Sequence, residues 1–242
     1  MKSHLYKFFH DTTNDRTENG SIYIPKDKNL WPKKWKEIER KTYDRSEGIP
    51  LINPATPSSL LALLQLRNSD IDTIVSGQPT CSEIGSMLAA EYDQKKSDDS
   101  KRTVPSAGGR FPLEVYVMLW GEVPGLKPGS YHYNVARHQL EDLYSPKLTS
   151  QDIKIISPLP WVANIHGVFI LSAVFDRTIA KYGSRGYRYI LLEAGHVGQN
   201  ICLAAAESGL SVRPLAAIDE CACERILSLD SEKEQIVYAI AF

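Results

Sequence analysis

The sequence predicts an α+β fold, with a central mixed or antiparallel sheet flanked by helices. Three observations carry this reading. Helical and extended patterns interleave along the 242 residues without a strict βαβ rhythm. The chain is long enough for one well-buried core, and 43% hydrophobic with 24% charged residues is ordinary globular usage. A stretch over residues 186–208 is apolar on two faces, as in a helix buried centrally or lying in a subunit interface.

Taken in order, residues 1–52 are rich in charge and aromatics without clear periodicity. They predict an irregular N-terminal segment, packed through aromatics such as Trp31 and Trp35 on a domain spanning 53–242. Pro54 and Pro57 punctuate the approach to a helix capped by Ser58 or Ser59. Its apolar residues are Leu60, Leu61, Leu63 and Leu64, and it ends near Arg67-Asn68-Ser69. Thr80-Cys81-Ser82-Glu83 has the form of a capping box opening a second helix through Ile84, Met87 and Leu88. Residues 93–102 read as a solvated charged loop.

Strands are predicted at 113–120, at 131–133 paired with 139–143, and at 167–175. In the long helix one apolar face carries Ile190, Ala194, Val197, Ile201 and Ala204, and the other carries Leu191, Cys202 and Ala205. Strands at 212–218 and 236–242 complete the sheet, with Asp219 capping a helix between them. There is no internal repeat and no low-complexity tract.

Charge and composition narrow the function. Lys and Arg number 28 against 29 Asp and Glu, so no net field recommends nucleic acid or an anionic membrane as partner. No apolar run reaches membrane-spanning length, and the first seven residues lack the apolar segment of a secretory signal, which predicts a cytoplasmic protein. The four cysteines, 81, 202, 221 and 223, have the spacing of neither a disulfide framework nor a zinc site and read as reduced packing residues, with no metal. The six histidines form no H-E-x-x-H pattern and no Ser-His-Asp triad.

Two blocks carry the chemistry. The first, Pro105-Ser106-Ala107-Gly108-Gly109-Arg110-Phe111-Pro112, runs directly into the predicted strand at 113–120. Paired glycines let backbone N–H groups approach a flat ligand without Cβ interference, and the buried strand holds the turn rigid. A plain turn is the other reading of a glycine pair. The second block, Lys181-Tyr182-Gly183-Ser184-Arg185-Gly186-Tyr187-Arg188-Tyr189, leads into the long helix.

Together these blocks resemble the SagB-type azoline dehydrogenases of the FMN-dependent nitroreductase superfamily, flavin oxidases that form thiazoles and oxazoles in modified peptides. The resemblance covers roughly residues 58–242 and implies a dimeric nitroreductase-like fold with FMN as cofactor. An Arg-x-Ser motif that contacts FMN phosphate and ribityl in this superfamily falls on Arg67 and Ser69. Guanidinium and hydroxyl donors at a helix end suit a phosphate, although Arg67 is also readable as a helix C-terminal cation. Pro105, Ser106, Gly108 and Gly109 fall near the isoalloxazine, in this superfamily often across a dimer interface. Pro214, Leu215, Ala216 and Ala217 match the segment whose backbone lies against the flavin's reactive nitrogen.

Lys181 and Tyr182 match a Lys-Tyr pair that azoline dehydrogenases use and simple nitroreductases lack. Aromatising an azoline requires loss of an acidified Cα proton and departure of a hydride from the ring carbon. A lysine made basic near neutrality by its surroundings takes the proton, and a tyrosine relays it or orients the ring. A solvated lysine beside a core aromatic is the structural alternative. Arg185 and Arg188 are the neighbouring cations that would lower the lysine's basicity toward neutrality, with ion pairs to Glu193 or Asp176 as their structural alternative.

Two departures accompany the resemblance. The second phosphate arginine, two residues beyond the serine, is replaced by Ile71, and no basic residues follow the last strand before Phe242. The long N-terminal recognition domain of some relatives has no counterpart ahead of residue 58, so leader-peptide capture is expected of a partner, such as a cyclodehydratase or synthetase complex. The leading expectation is an FMN-dependent dehydrogenase oxidising thiazoline or oxazoline rings of a peptide precursor, working as a homodimer with dioxygen as acceptor. The alternatives are a general NAD(P)H-dependent nitro or quinone reductase, and a flavin-poor scaffold in a peptide-modifying complex.

Overall fold

In the computed structural model, which describes residues 5–13, 28–36, 41, 51, 58–92, 94–95, 98–143 and 147–242, helices α1 (Leu5–Thr13) and α2 (Lys33–Lys36) come first. Helices α3 (Ser59–Leu66), α4 (Ile71–Ser76) and α5 (Cys81–Tyr92) follow, then strands β1 (Gln94–Lys95), β2 (Asp98–Arg102), β3 (Leu113–Leu119), β4 (Gly129–Asn134) and β5 (Gln139–Asp142). Next come α6 (Ser150–Ile156), β6 (Gly167–Val174), α7 (Asp176–Tyr182) and α8 (Gly186–Glu207). The chain closes with β7 (Arg213–Pro214), α9 (Glu220–Leu227) and β8 (Glu234–Ala241).

Six strands form one sheet in the order β5-β4-β3-β6-β8-β7, every neighbouring pair antiparallel. The central strands β3 and β6 are near-continuous apolar runs because both of their faces are covered. Val115 and Val117, opposite Leu171 and Phe169, turn to one face and meet Ile84, Met87 and Leu88 of α5 and Ile190, Val197 and Ile201 of α8. Met118, Val168 and Ile170 turn to the other and meet Ile74, Ile153, Ile156 and Leu227. The expected α+β class with an antiparallel sheet between helices is what the chain forms. A side chain such as Phe169, fully buried, loses about 3–5 kcal/mol of stability when cut to alanine.

Helix starts follow their caps. Ser58 accepts the Leu61 N–H, Thr80 and Glu83 bond each other's backbone reciprocally, and Asp219 accepts the Ala222 N–H at 2.7 Å. Each such cap is worth about 1 kcal/mol.

Several sequence expectations need correction. Residues 5–13 are helical rather than irregular: Tyr6 and His10, four apart, turn inward against Phe175 and Tyr187. Trp31 and Trp35 meet each other edge to face, and the expected boundary at 52/53 lies outside the described residues. The charged stretch 93–102 contains the β1–β2 hairpin, with Arg102 over the Tyr92 ring at 5.1 Å. Of the strand expected at 212–218 only Arg213–Pro214 forms a ladder with β8, followed by one bond from the Leu215 N–H to the Ala239 carbonyl, and Leu215 and Ile218 then turn into the core on the Met118 face of the sheet. Helices α4, α6 and α7 were not anticipated.

The second face of α8 is divided: Cys202 and Ala205 are buried within the chain, whereas Leu191 and Leu192 are exposed. Helix α3 packs along α8 and buries none of its residues; Leu60, 58% exposed, and Leu64, 42%, face outward. No helix among the described residues is long and apolar enough to cross a membrane.

Candidate active site

The predicted residues gather into two clusters. The first is the turn after β2. Gly108 and Gly109 both adopt positive φ, 62° and 63°, and a Cβ at Gly108 would stand 2.7 Å from Lys181 Nζ and nearer still to Tyr182 Oη. Only glycine lets the turn approach the Lys-Tyr pair this closely. Lys181 and Tyr182 end α7, and Gly183, at φ 57°, breaks the helix so that α8 can start three residues later. Lys181 Nζ lies 5.4 Å from the Tyr182 ring centroid, and that ring meets Tyr189 edge to face.

The turn is held from beneath by residues the sequence reading did not select. Phe111 adopts a positive φ of 43°, unfavourable for an aromatic, and its N–H donates to Ser106 Oγ at 2.9 Å while Arg177 donates to its carbonyl. Glu193, one of the alternative ion-pair partners for Arg185 or Arg188, is buried, 3% exposed, and accepts the Tyr92 hydroxyl at 2.8 Å. Burial pushes its carboxyl above the usual range, outweighing hydrogen bonds from Ser106 and Tyr92. An acidic residue on the inward face of an apolar helix was the available signal. Arg177 also pairs with Glu114 at 2.6 Å, and Glu114 with His132 at 3.0 Å. A cavity of about 480 Å³ opens beside the turn, lined by Ser106, Gly109 and Phe111 with Lys101 and Arg102.

The second cluster joins segments more than 140 residues apart. Arg67 Nη1 donates to Ser69 Oγ at 3.1 Å, Ser69 Oγ to the Val212 carbonyl at 3.3 Å, and Ser211 Oγ to Asn68 at 2.8 Å. Arg213, whose direction the sequence left open, donates to the Ser69 carbonyl at 2.7 Å. Pro214–Ala217 continues from it: the Leu215 N–H is spent on Ala239, and the Ala217 carbonyl accepts from Ser157. The N–H groups of Ala216 and Ala217 find no acceptor among the described residues, and Ala216 is exposed. Ile71, at the start of α4, brings no charge.

These clusters stand at opposite ends of the sheet. Pro112 accepts from Val174 at the end of β6, while Arg213 pairs with Ala241, itself paired with Val168 near the start of β6. Six residues of strand separate the two, about 20 Å. A larger groove of about 630 Å³, between α5 and the β4–β5 hairpin, contains none of the predicted site residues.

The residues present fit a flavin nucleotide. Guanidinium and hydroxyl donors suit its phosphate, the open Ala216 and Ala217 amides suit its ring nitrogens, and the Gly109 backbone has nothing within 4 Å of where a Cβ would stand.

Against known proteins, residues 77–242 match the nitroreductase family. Arg67 and Ser69 precede that stretch. A protein of Methanocaldococcus jannaschii named as a nitroreductase is 30% identical over 164 residues, covering 68% of this chain and 82% of that protein. The trifolitoxin-processing protein TfxB of Rhizobium leguminosarum is 33% identical over 54% of this chain, though the match spans only 36% of TfxB. The microcin B17-processing protein McbC of Escherichia coli is 24% identical over 72% of this chain and 68% of its own length. Among solved structures, a chain of the E. coli microcin synthetase McbBCD complex with truncated pro-MccB17 bound shares the fold. Its TM-score is 0.76 at 20% identity, covering 98% of this chain and 91% of that one.

Proposed function

The chain belongs to the nitroreductase family, and within that family we propose that it is an FMN-dependent dehydrogenase converting thiazoline or oxazoline rings of a peptide precursor to thiazole or oxazole. The observation that carries this reading is the convergence of Lys181 and Tyr182 on the Gly108 turn. A reductase of nitro compounds or quinones has no need of a base there. Similarity to two peptide-processing proteins supports a peptide substrate and a cyclodehydratase or synthetase complex as partner.

Arg67 and Ser69 would hold the FMN phosphate. Ser106, Gly108 and Gly109, behind Pro105, would face the ring system, and the backbone of Pro214, Leu215, Ala216 and Ala217 would line its other edge. When bound, FMN supplies the acceptor for the hydride that leaves the azoline carbon. Lys181 takes the Cα proton, and the hydroxyl of Tyr182 beside it orients or relays that proton. The rigid turn, fixed by Phe111, Ser106 and buried Glu193, keeps the base in register with the ring. Dioxygen is the acceptor that closes turnover.

The separation of the two clusters supports a homodimer in which the turn of one protomer meets the phosphate cluster of its partner. The exposed leucines of α3 and α8 supply an apolar face for that contact. The four free cysteines support a reducing, cytoplasmic setting.

The test is aerobic incubation of the purified protein with a thiazoline-containing peptide. Flavin absorbance in the protein and loss of two hydrogens from the peptide by mass spectrometry are expected. Retained flavin with an unchanged azoline, together with quinone reduction by NAD(P)H, would transfer the assignment to the general reductase. A colourless protein that cannot be reconstituted would leave the scaffold. A monomer by light scattering that still oxidises azoline would overturn the shared site.

A further inference from the structure

We propose that Arg213 is the second phosphate cation of this chain and takes over the charge that the sequence lacks at Ile71. This rests on the flavin reading above. Arg67 and Arg213 come from segments far apart in sequence, yet both guanidinium groups end on one residue, Ser69, the first at its hydroxyl and the second at its carbonyl. Neither makes an ion pair with a carboxylate among the described residues. Asp70 feels the charge of Arg213, but its Oδ1 caps α4, accepting from the Thr73 N–H and hydroxyl at 2.9 and 2.8 Å.

Two half-buried like charges drawn to one serine repel each other, and an arrangement of this kind is relieved when an anion enters between them. Each guanidinium spends one nitrogen on Ser69, and the fork geometry leaves further N–H donors for the bidentate contacts a phosphate monoester accepts. Trp161 lies alongside Arg213, with the guanidinium carbon 5.9 Å from its ring centroid. That contact, with the bond to Ser69, restricts the side chain to the cluster. The same strand end presents Pro214–Ala217, so the residue that would grip the phosphate is joined directly to the backbone that would line the ring. Ile71 needs no replacement by arginine because the position is already served from β7.

Flavin binding distinguishes this from a staple between two loops. The protein is stripped of flavin, and FMN and riboflavin affinities are measured by flavin-fluorescence quenching for the parent, Arg213→Gln and Arg213→Lys. Glutamine keeps a donor for the Ser69 carbonyl without the charge. FMN affinity is expected to fall about tenfold to a hundredfold in Arg213→Gln with riboflavin affinity unchanged. Arg213→Lys should keep most of the preference, and Ile71→Arg should change it less than about threefold. An Arg213→Gln protein with the parent's FMN-to-riboflavin ratio, or one that loses both flavins equally, would overturn the proposal. A parent that binds both flavins equally overturns the phosphate site and leaves the flavin reading standing. A parent that binds neither overturns the flavin reading itself, and this proposal with it.

Discussion

At the end of β6 the turn cluster is assembled from two contiguous blocks of sequence. Its shape rests on positive φ at Gly108 and Gly109, which glycine adopts freely, and at Phe111, where it is strained, pinned by hydrogen bonds of Tyr92, Glu193 and Ser106. At the start of β6 the cluster around Ser69 has no strained residue. It is assembled from short segments, 67–69 and 211–217, held by hydrogen bonds between residues more than 140 apart. The contrast follows from the two tasks. Moving a proton needs a base fixed to within a fraction of an ångström, which a rigid turn supplies. Holding a dianion needs charge from several directions, which no single segment provides.

If the turn end alone carries the proton-transfer step, Lys181→Ala should lower azoline oxidation about 10²–10⁴-fold while bound flavin and its chemical reduction stay intact. Tyr182→Phe should act in the same direction. The double variant should be little worse than Lys181→Ala, as for residues acting as a unit. Parent-rate conversion of thiazoline to thiazole by Lys181→Ala would place the base elsewhere. At the other end, Arg67→Ala should weaken FMN retention through purification, a loss of about 1.5–3 kcal/mol for a charge-assisted contact, with turnover restored by excess FMN. Undiminished FMN occupancy would show that the phosphate is held without Arg67.

Glycine substitutions sharpen the comparison within the turn itself. Both Gly108→Ala and Gly109→Ala place a Cβ at positive φ, which costs about 1–2 kcal/mol. Only at Gly108 does the new atom also meet Lys181 and Tyr182. With FMN saturating, Gly108→Ala should therefore lose activity well beyond its loss of thermal stability, whereas Gly109→Ala, whose Cβ enters the space open to the ring, should weaken flavin retention and regain most of its activity with excess FMN. Equal losses of activity would show that the contact with the Lys-Tyr pair is incidental.

The smallest effect concerns the N-terminal helix, which leans on the turn end alone. His10 is buried between Phe175 and Tyr187, and burial lowers its pKa below the usual 6.5, against the pull of Asp11. The undocked helix therefore takes up a proton first as pH falls, so docking should weaken below about pH 6.5 and be complete above it. Protection factors over residues 5–13, which remove the intrinsic pH trend of exchange, should fall between pH 7.5 and 5.5 while those in α3 stay constant. A His10→Phe variant should lose that pH dependence, and its persistence would assign it to another group.

Much of the fold is legible in the residues because local chemistry decides it. The strands at 113–120 and 167–175 are apolar runs bounded by glycine and proline, and the helix at 186–208 has a period no strand accommodates. Helix α7 is not legible, since it begins straight from β6 on Phe175 with no side-chain cap. The β1–β2 hairpin is hidden by its charge, which composition equates with a loop. The alternative pairing of Glu193 with a neighbouring arginine does not form, because burial, invisible in the sequence, turns that carboxyl toward Tyr92.

By itself the sequence determined the α+β class and the two blocks, the glycine turn and Lys181-Tyr182, that carry the resemblance to flavin oxidases; only the fold set one against the other. Each of these is written in contiguous residues whose conformational preferences act over a few positions. Only the tertiary structure decided that Arg213 joins Arg67 at Ser69, that Glu193 supports the turn, and that the two clusters stand at opposite ends of β6. Those are contacts between residues dozens to more than a hundred positions apart. They arise because the antiparallel sheet and the burial of α8 bring distant segments together, and no local preference records which ones will meet.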